Sequence, residues 1–148
     1  MAPISLEDVN DVYQTRIALE TEALRRAWPN LTPEVLEELS QTREQMVERV
    51  LKSDKSFYHL HRSVHFGIYE RSDSPWLLHL IEILWSHTER YRRLVSKLDT
   101  FVDQGSDLHG VILDAIRNQD REGAERALRS DLERTAKLMF TAYDDEEA

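Results

Sequence analysis

Ser5-Leu6-Glu7-Asp8-Val9-Asn10-Asp11-Val12-Tyr13-Gln14-Thr15-Arg16-Ile17-Ala18-Leu19-Glu20-Thr21-Glu22-Ala23-Leu24 decides the fold. Leu6, Val9, Val12, Tyr13, Ile17 and Leu24 recur at helical spacing, which gathers them on one side of a turn of 3.6 residues. Ser5 followed by Asp8 resembles a capping box, with Asp in place of the usual Glu, and marks the helix start. Pro29 ends it, because a proline ring has no N–H to give and clashes with the preceding turn.

The same signals repeat along the chain. Thr32 caps a second helix with Pro33 at its first position, and Val35, Leu36, Leu39, Met46, Val47 and Val50 form its apolar side. A polar turn near Ser53 and Asp54 leads to a third helix striped by Phe57, Leu60, Val64 and Ile68. Ser72-Asp73-Ser74-Pro75 breaks the pattern, with Ser74-Pro75 as cap and first turn of the next helix. That fourth helix is expected from Trp76 to about Leu98, with Leu77, Leu80, Ile83, Leu84, Tyr91 and Leu94 turned inward. Gln104-Gly105-Ser106 reads as a loop. A fifth helix is expected from Asp107 to Arg117, a tight turn at Asn118-Gln119-Asp120, and a sixth helix to about Tyr143. No stretch alternates apolar and polar residues as a strand would. The expected architecture is all-α: an antiparallel bundle of about six helices with a central, metal-containing pocket.

Composition agrees. The 148 residues fit a single domain, with Asp144, Asp145, Glu146 and Glu147 as an acidic tail. Only 4 Gly and 4 Pro leave little material for a loop-rich or all-β fold. Cysteine is absent, which excludes disulfides, thiolate-held metals and thiol catalysis, and fits a cytoplasmic protein. A net charge of −9 without a basic patch argues against direct nucleic-acid contact. No apolar run reaches the ~20 residues of a membrane span, and no basic segment followed by an apolar one suggests a leader.

Four residues carry the chemistry. His61 and His65 lie four apart on the third helix, close enough for two imidazoles to reach one ion. His109 opens the fifth helix beside Leu108 and Ile112. Asp131 interrupts the stripe Ala124, Ala127, Leu128, Thr135, Leu138, where a carboxylate is costly unless paired or metal-bound. Each has an ordinary reading alone: a satisfied core histidine, a solvated helix-start histidine, an Asp paired with Arg134. Together they form a nitrogen-and-oxygen donor set suited to Zn, Ni, Mn or Fe(II), with positions left for water or a ligand oxygen. Arg16 falls beside Tyr13 and Ile17 and one turn before Glu20. It is either a helix-surface partner of Glu20 or an inward guanidinium able to grip a carboxylate that the metal also binds. His59, His79 and His87 read as surface or packing residues.

These residues resemble the FCD domain, the effector-binding domain of FadR-type regulators in the GntR family. The resemblance runs from about Ser5 to Lys137. Tyr13 and then Arg16-Ile17-Ala18-Leu19-Glu20 match the family's tyrosine and R-x-x-x-E. His61-Arg62-Ser63-Val64-His65 stands where the family reads D-x-x-F-H. Ser72-Asp73-Ser74-Pro75 replaces a serine-glycine-asparagine turn, Leu108-His109 an E-H pair, and Asp131 a histidine. The family's metal set of one Asp and three His is kept in number, with the carboxylate moved from position 61 to position 131. The resemblance implies a homodimer and a small organic acid as ligand, with Arg16 as its second anchor. The family's winged helix-turn-helix has no counterpart here, so the chain is expected to be either an excised effector domain or a stand-alone protein. For the latter, a metalloenzyme acting on a small carboxylate or carbonyl substrate is the alternative.

Overall fold

The computed structural model describes residues 5–94 and 107–147. They form six α-helices: α1 (Leu6–Ala27), α2 (Pro33–Leu51), α3 (Phe57–Tyr69), α4 (Pro75–Leu94), α5 (Leu108–Arg117) and α6 (Arg121–Glu147). Single 3₁₀ turns at Trp28–Asn30 and Glu70–Ser72 follow α1 and α3. There is no strand among the described residues. The Gln104-Gly105-Ser106 loop, and the last turn expected of the fourth helix, lie outside them.

Local chemistry sets the ends. Ser5 caps α1 by accepting from the Asp8 N–H at 3.2 Å, and Thr32 caps α2 by accepting from Val35 at 3.3 Å, with Pro33 next to it. Ser74 accepts from Leu77 at 3.3 Å ahead of Pro75. The ends of α2 and α5 share one geometry. Ser53 (φ 54°) and Gln119 (φ 58°) turn into the left-handed region. The next N–H then reaches back, Asp54 to Arg49 O at 2.9 Å and Asp120 to Ala115 O at 2.8 Å. This double-bonded stop satisfies the last carbonyls of the helix.

α1 is the central element: it packs on α3, α4 and α6, while α2 lies against α3 and α5, and α5 pairs with α6. The α1 stripe is buried as expected: Val9, Val12, Tyr13, Ile17 and Leu24. α4 differs. Its buried side is Leu77, Ile81, Trp85, Thr88 and Tyr91, while Leu80 and Ile83 are turned outward beside Trp76, at 43%, 51% and 76% exposure. The helix is apolar on two sides, so periodicity alone does not decide which faces the core. No described helix is long and apolar enough to cross a membrane.

Candidate metal centre

His61, His65, His109 and Asp131 come together in the interior. All four are buried, and one donor atom from each lies within 4.8 Å of the others. Three helices supply them. α3 stacks His61 and His65 one turn apart, ring centroids 4.8 Å apart. The first turn of α5 supplies His109, and its start is fixed by Asp107, which accepts from the Gly110 N–H at 3.1 Å and pairs with Arg43 of α2. α6 supplies Asp131 between the buried Leu128 and Leu132.

The distances suit a shared cation. Nε2 of His65 lies 3.0 Å from Nε2 of His109, and Oδ2 of Asp131 lies 3.3 and 3.5 Å from those two nitrogens. Ligand atoms held at about 2.0–2.1 Å from one ion are separated by about 3.0–3.4 Å, depending on the coordination geometry. Two imidazole nitrogens 3.0 Å apart need a proton or a cation between them, since two bare lone pairs repel. Burial alone would raise the Asp131 carboxyl, but His109 and His65 beside it, with Arg16, hold it well below the usual carboxylate range. An anionic oxygen and imidazole nitrogens converging in the buried interior form a donor set that fits a divalent transition metal.

Behind His65 runs a buried chain of hydrogen bonds. Tyr69, one turn further along α3, lies with its hydroxyl 3.1 Å from Nδ1 of His65 and donates to Oε1 of Glu20 at 2.6 Å. Arg16 donates from Nε to Oε2 of Glu20 at 2.8 Å and from NH1 to Oγ1 of Thr88 at 3.1 Å. Arg16 and Glu20 are therefore a pair, but a buried one, 2% and 0% exposed. Burial opposes the charge on Arg16, but Glu20 beside it more than offsets this and keeps the guanidinium protonated. Burial, and then the charge of Glu20, push the Tyr69 phenol well above its ordinary value, so it keeps its proton.

Aromatic rings wall this region. Trp85 sits 5.0 Å from the ring of His65, 5.5 Å from His61 and 4.2 Å from the Arg16 guanidinium, which also lies 5.1 Å from the ring of Tyr13. Among the described residues, the Tyr13 hydroxyl and the Trp85 indole N–H are buried without a hydrogen-bond partner. His59 and His79 are exposed, and His87 pairs with Asp8 at 2.8 Å, away from the centre.

The sequence pattern singled out the four donors. It did not reveal Tyr69 and Trp85. For Tyr69 a signal existed: His61, His65 and Tyr69 are spaced four apart on one face. For Trp85 the ambiguity of α4 hid it.

With this geometry in view, the sequence of residues 11–134 matches the FCD domain. The chain belongs to the FCD domain family. A relative in Paraburkholderia xenovorans (strain LB400), named as the uncharacterized HTH-type transcriptional regulator BphR, is 26% identical over 146 residues, covering 94% of this chain and 60% of that protein. The HTH-type transcriptional regulator McbR of Escherichia coli (strain K12) is 23% identical over 144 residues, covering 95% of this chain and 65% of its own. The solved structure of E. coli McbR/YncC superposes with a TM-score of 0.84 at 22% identity, covering 95% of this chain and 72% of that one. A GntR-family transcriptional regulator from Pseudomonas syringae pv. tomato str. DC3000 gives 0.75 at 27% identity, covering 99% and 61%. The FCD domain thus spans about two thirds or less of the length of the curated relatives it matches. It is an FCD domain of the type found in GntR-family regulators.

Proposed function

We propose that this FCD domain binds one divalent transition metal through His61, His65, His109 and Asp131, and with it a small organic acid. The observation that carries the reading is the convergence of four buried donor atoms within 4.8 Å, drawn from three helices. Such a cluster is costly without a cation, because a buried carboxylate and imidazole lone pairs lose their water. Zn, Ni, Mn or Fe(II) suit three imidazoles and one carboxylate. Four protein donors leave room in the shell of a six-coordinate ion for ligand oxygens.

Arg16 is the second anchor in this reading. Among the described residues, three of its N–H groups are engaged, by Glu20 and Thr88. A guanidinium has five, so two are left for a carboxylate oxygen. The Tyr13 hydroxyl and Trp85 N–H, on rings flanking Arg16, would gain a partner from the same ligand. Since the net charge of −9 repels an anion at a distance, the attraction must be local.

The ligand acts on a homodimer, and the outward apolar stripe Trp76, Leu80, Ile83 on α4 supports one. Nucleic-acid contact falls outside this acidic chain, and the cytoplasm is its compartment. Metal analysis joined to native mass spectrometry for a co-purifying acid tests the proposal. About one metal per chain is expected, lost in His65→Ala. An acid that binds metal-free protein as tightly as metal-loaded protein would refute the direct metal–ligand contact.

A further inference from the structure

We infer that Tyr69 and Glu20 are positioning residues for the centre: they fix the tautomer of His65 so that its Nε2 lone pair faces His109 and Asp131. The inference rests on the metal reading for its purpose, but its premises are hydrogen bonds within the chain. The Tyr69 hydroxyl has one proton, and at 2.6 Å it goes to Glu20 Oε1. Glu20 cannot supply one in return, because its carboxylate is held by the Arg16 guanidinium at 2.8 Å. The phenol oxygen can therefore only accept from Nδ1 of His65 at 3.1 Å, so Nδ1 carries the imidazole proton. A neutral imidazole has one N–H, which leaves Nε2 bare. That nitrogen lies 3.0 Å from His109 Nε2 and 3.3 Å from Asp131 Oδ2.

The direction of each bond is thus set from the far end. Arg16 orients Glu20, Glu20 orients the phenol, and the phenol orients the ring. Outer partners of this kind fix ligand orientation and basicity at metal sites, and their loss typically costs roughly 10–100-fold in metal affinity. Phenylalanine at position 69 keeps the ring and its packing but removes the acceptor, so the His65 proton is free to move to Nε2, where it competes with the ion.

The test uses two readouts on wild type and Tyr69→Phe. Imidazole ¹H–¹⁵N correlation spectra of metal-free protein at alkaline pH report which nitrogen of His65 is protonated. Zinc affinity is measured by competition with a chromophoric chelator. Expected are the Nδ1–H form in wild type, a shift toward Nε2–H in Tyr69→Phe, and zinc affinity weakened roughly 10–100-fold at unchanged helical content. An Nε2–H tautomer in wild type overturns the inference and needs no variant, so a Tyr69→Phe protein that fails to fold does not shield it. Zinc bound equally by wild type and Tyr69→Phe refutes the positioning role and leaves the metal reading standing. A wild type that binds none of zinc, nickel, manganese and iron(II) while His65 is Nδ1-protonated refutes the metal reading and the positioning role together, while showing the hydrogen-bond chain itself to be real.

Discussion

Glu20→Ala removes the carboxylate that meets Arg16, and the structure sets the expected size of the damage. Glu20 is fully buried, accepting from Arg16 Nε at 2.8 Å and from Tyr69 at 2.6 Å. Alanine leaves a buried guanidinium whose remaining described hydrogen bond goes to Thr88. Breaking one side of a buried ion pair costs about 3–5 kcal/mol, because the surviving charge keeps its desolvation penalty. At about 2.1 cal/mol/K of unfolding entropy per residue, 148 residues give about 0.3 kcal/mol/K, so each kcal/mol moves Tm by about 3 °C. The expected drop is therefore roughly 10–16 °C. Removing both charges with apolar residues of similar volume, Arg16→Met with Glu20→Leu, should recover more than half of it, since no uncompensated charge remains. Calorimetry of both variants in chelator measures this, chelator being needed because a bound ion would add its own stabilisation. A Glu20→Ala protein melting within about 3 °C of wild type, or a double variant no better than the single one, would refute the reasoning.

Four further outcomes are expected. Zinc at 100 times its Kd should stabilise wild type by about 2.7 kcal/mol and leave His65→Ala unmoved, as read by Tm with and without metal. Burial, and then its bond to Asp8, push the Tyr91 phenol up to about 12 from an ordinary 10. A raised folded value means its stabilisation is complete below the unfolded value and lost as pH rises through the folded one, so stability should fall between about pH 10 and 12 more steeply in wild type than in Tyr91→Phe, where only the raised Tyr69 phenol still contributes, as followed by denaturant midpoints. Gln119→Gly, at a left-handed φ of 58°, should raise stability by about 1 kcal/mol, measured in urea. Ile83→Glu should convert the proposed dimer to a monomer by light scattering without loss of helix, since that side chain is half exposed.

How far the sequence was legible follows from which physics is local. Helix ends were readable because caps act within three or four residues: Ser5, Thr32 and Ser74 all accept the N–H their spacing implied. The α1 stripe was readable because its outer side is polar. The inward side of α4 was not, because Trp76, Leu80 and Ile83 on one face and Leu77, Ile81 and Trp85 on the other satisfy the helical period equally well. The four donors were legible by residue type, and the fold brings all four together. Their second layer was not, since the contact of Tyr69 with Glu20 joins positions 49 residues apart and depends on how α3 crosses α1. Arg16 and Glu20 were readable as a pair by spacing, but their burial depended on α4 covering them, with Thr88 of α4 bonded to Arg16 72 positions away.

The first and last helices of the domain are neighbours: α1 packs along α6, and Arg25 reaches Glu125 at 3.0 Å across 100 positions. This bears on how the protein is made. A ribosome delivers α1 long before α6, at about 5–20 residues per second, so for several seconds the buried face of α1 has no permanent cover. Asp131 is the last of the four donors to be synthesised, and it arrives on the helix that closes the domain. A chain grown past His109 but short of position 131 holds the three histidines without their carboxylate. The four donors are therefore brought together only once α6 is in place, and an ion retained there would mark a domain in which that helix has packed.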